Sequence, residues 1–386
     1  MSTAPAPARR PSRELAPDRL TRLGAVPWDS LDAAAARARA HPDGIVDLSI
    51  GTPVDATPEL VRDALAAAAD APGYPPAQGV PALRRAWVDW AARRLGIADL
   101  DPQAVSATVG SKEAVALLPT LLGFGPGDVV AVPELAYPTY EVGALAAGAD
   151  VVRYDPSAGG VDLPAAGGRL LVWVNSPANP HGSVLDALSM AELVGAVRAR
   201  GGIVASDECY LEFGWTVQPT SVLRPEVNGG SLAGLLAVHS LSKRSNLAGY
   251  RVGFVGGDPA LVARLVAVRR HLGLIPAMPA QRAAVAALGD DAHVEVQRTR
   301  YRVRRDQLLP ALAAAGLRVE HSEGGLYLWA TEDRPAAVTV DRLAGLGILV
   351  APGTFYGPAG AHHVRIALTA TDGRIAAAAA RLRDAA

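Results

Sequence analysis

Lys243 lies in the run Ser240-Leu241-Ser242-Lys243-Arg244-Ser245, and Arg251 follows eight positions after it. A primary amine ringed by hydroxyls, with a guanidinium close behind, suits an aldehyde ligand that carries a phosphate. The amine can condense with the aldehyde to a Schiff base, while Ser240, Ser242 and Arg251 hold the phosphate through charge-assisted hydrogen bonds. The same run fits an ordinary basic surface loop equally well, so neighbouring segments decide. Asp207-Glu208-Cys209-Tyr210 offers a carboxylate able to pair with a protonated ring nitrogen, and a phenol three positions on that can donate to a ring oxygen. Asn175-Ser176-Pro177-Ala178-Asn179-Pro180-His181-Gly182 combines turn chemistry with the Asn179 amide, a donor for a bound ligand.

Further segments have related chemistry. Gly110-Ser111-Lys112 opens a predicted helix and presents free backbone N–H groups and a hydroxyl to an anion. It lacks the GxxxxGK[ST] pattern, so nucleoside triphosphate binding is not indicated. Tyr137, in Pro133-Glu134-Leu135-Ala136-Tyr137-Pro138-Thr139-Tyr140, can lie flat on a planar ring or fill a core. The eight histidines form no HExxH and no Cys/His spacing, so no metal site is expected.

These residues need a scaffold, and the apolar pattern supplies one. Continuous apolar runs at 105–109, 129–132, 170–174, 203–206, 235–238 and 252–255 read as buried strands. Helical spacing at 112–122 and 188–200 lies between them. Short apolar strands separated by helices predict a mostly parallel sheet covered on both faces, with ligands bound beyond the strands' carboxyl ends. The texture changes after about residue 270. Residues 281–315 read as long helix broken near Gly289, followed by strand-like 326–329, 348–350 and 364–368 and an Ala-rich final helix. A smaller α+β domain is expected there. The predicted organisation is a disordered tail at 1–17, a segment at 18–44 packing on the small domain, a large ligand-binding domain at 45–272, and the small domain at 273–386.

Composition excludes several classes. Across 386 residues, 37 basic and 38 acidic side chains nearly cancel, leaving no electrostatic footprint for nucleic acid or an anionic membrane. No apolar run has the length of a membrane span. The Ala/Pro/Arg-rich start has no apolar core segment and cannot form a helix-turn-helix, which argues against a signal peptide and against a DNA-reading regulator. Cys209 is the single cysteine, which fits a reducing, cytoplasmic compartment.

Taken in order, Asn-Pro-x-Gly, Asp-x-x-Tyr and Ser-x-Ser-Lys followed by Arg251 resemble the class I/II aminotransferases of pyridoxal-phosphate fold type I, over roughly residues 45–368. The resemblance implies an α/β fold, with a mostly parallel central sheet sandwiched by helices in the large domain. It also implies pyridoxal 5′-phosphate as cofactor, and amino-acid and 2-oxo-acid substrates. Lys243 would be the Schiff-base lysine and, once freed, the general base. Asp207 would face the ring nitrogen, Asn179 and Tyr210 the phenolic oxygen, and Tyr137 the ring face. Gly110, Ser111, Lys112, Ser240, Ser242 and Arg251 would surround the phosphate, and Tyr74 would reach the phosphate of the neighbouring subunit in a homodimer with shared active sites. Arg365 would grip the substrate α-carboxylate and Gly51 would let the backbone close over the substrate. His181 stands where the family usually has threonine and reads as a tolerated turn residue.

At finer grain, phrases such as Ser206-Asp207-Glu208-Cys209-Tyr210 and Gly325-Leu326-Tyr327-Leu328-Trp329 resemble actinobacterial N-succinyldiaminopimelate aminotransferases. That implies glutamate-dependent transamination in lysine and diaminopimelate biosynthesis. Transamination of aspartate, alanine or an aromatic amino acid is an alternative, as is a carbon–sulfur lyase on the same scaffold.

Overall fold

The computed structural model describes residues 27–157 and 167–385. The expected tail at 1–17, and the part of the 18–44 segment before Pro27, lie outside the described residues. The chain enters through helix Asp32–Arg39, which buries Ala35 and Ala38 against Ala344 and Leu349. Strand β1 (Val46–Asp47) follows. Seven strands then build the large sheet: β2 (Val105–Thr108), β3 (Val129–Pro133), β4 (Asp150–Tyr154), β5 (Leu170–Asn175), β6 (Ile203–Asp207), β7 (Leu235–Ser240) and β8 (Gly253–Gly257). Their order is β2-β8-β7-β6-β5-β3-β4. All neighbours run parallel except β8, which is antiparallel to both β2 and β7.

Both faces of this sheet are dry. Along β5, Leu170, Val172 and Val174 enter one apolar cluster, while Leu171 and Trp173 enter the cluster on the opposite face. The alternation follows from the two-residue period of a strand, and burial on both sides explains the near-continuous apolar runs. Helix Pro81–Trp90 sends Trp87 and Trp90 into the first cluster, and helix Thr139–Ala147 sends Tyr140 into the second.

After helix Pro259–Leu272 the chain forms Met278–Gly289 and the 23-residue helix Ala292–Ala314. The break expected near Gly289 is present, the two helices being parted at Asp290 and Asp291. Then come β9 (Arg318–Glu320), β10 (Tyr327–Thr331), β11 (Ile348–Leu349), β12 (Ala351–Pro352) and β13 (His363–Ala367). β12, β13, β10 and β9 form an antiparallel sheet in that order, and β11 pairs in parallel with β1. Leu308, Leu312, Leu328, Ile366, Ile375 and Leu382 fill the core between this sheet and its helices. Among the described residues no helix is long and apolar enough to cross a membrane.

Candidate active site

The sheet order places β5, β6 and β7 side by side, so the residues after each strand meet at one edge. Lys243 lies in the short helix Leu241–Arg244 directly after β7, and Ser240 starts that helix by accepting a hydrogen bond from the Ser242 N–H at 3.1 Å. The Lys243 Nζ donates to the carbonyl of Gly51, which brings the loop after β1 across the site.

Asp207 ends β6 and is buried. Its Oδ2 accepts from the Tyr140 hydroxyl at 2.7 Å and its Oδ1 from the Cys209 N–H at 3.2 Å. Burial pushes its carboxyl above the ordinary range, and the hydrogen bonds from Cys209 and Tyr140 offset only part of that. Among the described residues no ion pair reaches this carboxylate, so a cation placed against it would meet a buried acid that lacks a counter-charge. Burial also raises the thiol of Cys209 and the hydroxyl of Tyr140, helped in each case by the charge of Asp207.

Asn175, at the end of β5, ties the neighbouring loops together. Its side-chain amide donates to the Asp207 carbonyl at 2.9 Å, and its Oδ1 accepts from the Asn179 N–H at 2.7 Å. Asn179 Oδ1 in turn accepts from Arg365 Nη1 at 3.0 Å, while Arg365 Nη2 donates to the Ser49 carbonyl at 2.7 Å. The Arg365 guanidinium lies 4.0 Å from the centroid of the Tyr327 ring and 4.9 Å from that of Tyr356. It is 3 % exposed, and its Nε is a buried donor with no hydrogen-bond partner among the described residues. A planar fork held between two aromatic faces is suited to a carboxylate.

The Tyr210 hydroxyl lies 3.1 Å from that of Tyr327. Burial alone would raise the Tyr327 hydroxyl, but the charges of Arg365 and Lys243 pull it below the ordinary phenol value. Gly51 packs tightly here: a Cβ at that position would fall 2.0 Å from Tyr327 Oη.

The anion cradle is on the β2 side. Gly110, with φ +74°, caps helix Ser111–Leu121, and a Cβ on it would fall 2.4 Å from Arg251 Nη2. Only glycine lets the guanidinium come this close to the helix start. Arg251 donates to the Ala248 carbonyl at 2.9 Å and stays exposed. Ser240 and Ser242 are buried next to Lys243, Ser111 is half-buried, and Lys112 is exposed in the helix's first turn. Tyr137 is edge-on to Tyr140, and its hydroxyl is raised by burial and then by the neighbouring Tyr327, Asp207 and Cys209. Tyr74 lies fully exposed on the surface, so this copy of the chain does not bring it into the cluster. His181 pairs its ring with that of His321 at 5.2 Å, and burial with the charge of His321 pushes its pKa down to about 3. It is neutral at physiological pH.

Tyr140 and Tyr327 are site residues that the spacing of the sequence does not single out. Tyr140 is separated from Asp207 by 67 positions, and Tyr327 reads as one of several apolar residues in β10. Among the described residues no group of three or more His, Cys, Asp and Glu could hold a metal ion.

An amine at one strand end, an acid without a counter-charge at the next, an aromatic face and an anion cradle define a site of the pyridoxal-phosphate-enzyme class, and these residues fit that cofactor. Residues 43–382 match the family model "Aminotransferase class I and II". The 4-dedimethylamino-4-oxo-anhydrotetracycline transaminase OxyQ of Streptomyces rimosus is 58 % identical, over 92 % of this chain and 98 % of its own. The probable aminotransferase Rv1178 of Mycobacterium tuberculosis (strain ATCC 25618 / H37Rv) is 54 % identical, over 94 % and 89 %. Among solved structures, a probable N-succinyldiaminopimelate aminotransferase from Thermus thermophilus superimposes with a TM-score of 0.83 at 30 % identity, covering 94 % of this chain and 100 % of that one. The chain belongs to the class I and II aminotransferases, enzymes that use pyridoxal phosphate and move an amino group between amino acids and 2-oxo acids.

Proposed function

We propose that the enzyme takes an amino group from glutamate and delivers it to N-succinyl-2-amino-6-ketopimelate, giving N-succinyl-diaminopimelate. The carrying observation is the buried Arg365 fork, fixed by Asn179 and Ser49 between Tyr327 and Tyr356, at the loop that also meets Lys243. A guanidinium so fixed binds and orients an α-carboxylate. The acceptor assignment is supported by the phrases that resemble N-succinyldiaminopimelate aminotransferases and by the Thermus neighbour's name. LL-diaminopimelate aminotransferases at 30–34 % identity add support for a diaminopimelate-like skeleton.

When bound, the cofactor supplies an electron sink that makes the substrate Cα–H acidic. Asp207 would hold a proton on the ring nitrogen, and Tyr140 keeps that carboxylate oriented. The Lys243 amine moves the proton at Cα. Asn179 and Tyr210 would hold the phenolic oxygen, and Tyr137 would cover the ring. Gly110, Ser111, Lys112, Ser240, Ser242 and Arg251 bind the phosphate, joined by Tyr74 from a second copy in a cytoplasmic homodimer. The exposure of Tyr74 supports that last role, since nothing among the described residues of its own chain covers it.

A second acceptor is favoured by the 58 % identity to OxyQ, whose name specifies a 4-oxo-anhydrotetracycline. Ile50 and Val54, each 52 % exposed beside Gly51, offer apolar surface at the same loop. A two-stage half-reaction assay decides. The protein is first converted with glutamate, then each ketone is tested for its rate of restoring the starting absorbance. Faster recovery with N-succinyl-2-amino-6-ketopimelate supports the proposal, and faster recovery with 4-dedimethylamino-4-oxo-anhydrotetracycline replaces it. Steady pyruvate release from cysteine-type substrates would point instead to a carbon–sulfur lyase.

A further inference from the structure

The loop from Leu48 to Thr57 carries two of the site's contacts, Ser49 O to Arg365 and Gly51 O to Lys243, and between them Ile50 O accepts from the Thr369 hydroxyl at 3.2 Å. Its near end is pinned by backbone bonds, Leu48 N–H to the Leu349 carbonyl at 2.8 Å and Ala367 N–H to the Leu48 carbonyl at 2.9 Å. Its far end is held through side chains. Arg304, on helix Ala292–Ala314, is 1 % exposed and grips Asp55 with two parallel bonds, Nη1 to Oδ2 at 2.9 Å and Nη2 to Oδ1 at 2.7 Å. The same guanidinium reaches Asp372 through Nε at 2.6 Å and the Leu368 carbonyl through Nη1 at 3.3 Å. Those residues flank the exit from β13, the strand that carries Arg365.

A second set of bonds runs back to the lysine. Gln297, two turns earlier on the same helix, donates to Asp55 Oδ2 at 2.7 Å and accepts from Asn246 Nδ2 at 3.0 Å. Asn246, three positions after Lys243 and at φ +55°, also donates to Ala56 O at 3.3 Å, and its carbonyl accepts from the Thr57 hydroxyl at 3.2 Å. Between the anchored ends, Thr52 and Val54 are exposed and Gly51 lies against Tyr327. An interior arginine with three separate acceptors is a costly feature, since burying a guanidinium is favourable only when it is fully paired.

We propose that Arg304 is a positioning residue for substrate binding: through Asp55 it holds the Leu48–Thr57 loop at the height where the Ser49 carbonyl orients Arg365 and Gly51 meets Tyr327. The inference rests on the reading of Arg365 as the carboxylate clamp. Releasing Asp55 lets the loop move out, leaves the guanidinium with a less fixed direction and weakens carboxylate binding. The helix start at Gly110 and the Tyr140–Asp207 pair make none of these bonds, so the main effect falls on carboxylate binding.

The test compares Asp55→Asn, Arg304→Lys and Arg365→Lys in the cofactor-loaded enzyme. Asp55→Asn leaves the Arg304 bonds to Asp372 and Leu368 intact and guards against a failure of Arg304→Lys to fold. Asp55→Asn is expected to speed backbone amide exchange at residues 48–57 by about tenfold or more and to raise the KM for glutamate by about tenfold, the worth of one charge-assisted hydrogen bond. Its affinity for pyridoxal phosphate, read by fluorescence quenching, stays within about twofold of the parent. Arg304→Lys, which keeps the charge but loses the fork, falls between the parent and Asp55→Asn. Unchanged exchange at 48–57 in Asp55→Asn overturns the proposal. So does faster exchange with an unchanged KM. An unaltered KM in Arg365→Lys instead refutes the clamp reading and leaves the loop measurement standing.

Discussion

Replacing Tyr140 by phenylalanine removes one hydroxyl from the deepest part of the site and little else. The ring stays stacked on Trp173, with centroids 4.8 Å apart and planes 17° from parallel, so the packing is kept. What is lost is a 2.7 Å hydrogen bond to a buried carboxylate. Bonds to charged partners are worth about 1.5–3 kcal/mol, and neither group is exposed enough for solvent to replace the donor. At about 1.4 kcal/mol per factor of ten, the substitution removes roughly 10- to 150-fold from the combined strength of cofactor binding and of the proton-transfer step. The sign of the pH effect follows from the donor's role. Tyr140 favours the charged form of Asp207, so its removal raises that carboxyl further above its ordinary value. The acid limb of the kcat/KM profile therefore moves to higher pH. Cofactor titration by fluorescence and single-turnover conversion with glutamate across pH measure both parts. Wild-type affinity, rate and acid limb in Tyr140→Phe would refute the reasoning.

Other substitutions test separate parts. Asp207→Asn removes a buried acid whose raised pKa means its charged form weakens the fold as pH rises through that value, so the cofactor-free protein should melt higher at pH 7. The same variant should lose about 100-fold or more in transamination, read by coupled assay. Gly51→Ala would force the buried Tyr327 ring aside and should raise the KM for glutamate about tenfold or more while also lowering the melting temperature. Asp128, held by Arg169 and backbone N–H groups at a pKa of about 2, contributes stability that is present above its ordinary value of 3.8 and lost as pH falls through about 2. Asp128→Asn should therefore flatten the acid-denaturation curve across that window.

The large sheet was legible because burial on both faces leaves runs such as Leu170-Leu171-Val172-Trp173-Val174 without a polar interruption. β4 escaped notice for the opposite reason. It is the sheet's edge, Asp150 is exposed and Arg153 interrupts the run, so no continuous apolar signal remains. β9 and β12 are three and two residues long, too short for a period. Lys243, Asp207 and Asn179 could be picked from the sequence because each stands in a short motif at or just past a strand end, while Arg365, in the middle of β13, was reached through the family resemblance. Tyr140 and Tyr327 could not, because a tyrosine in an apolar stretch carries the same signal whether it packs or donates a proton. The Asp55–Arg304 pair spans 249 positions, and only the folded chain brings the two together.

The central claim concerns one nitrogen atom, and its most direct test is covalent. Purified protein supplied with pyridoxal phosphate is reduced with borohydride, digested and sequenced by mass spectrometry. A pyridoxyl-phosphate mass on Lys243, with Lys243→Ala colourless and without turnover, is the predicted result. Attachment at Lys112 instead, or a Lys243→Ala protein that keeps full turnover, would contradict it.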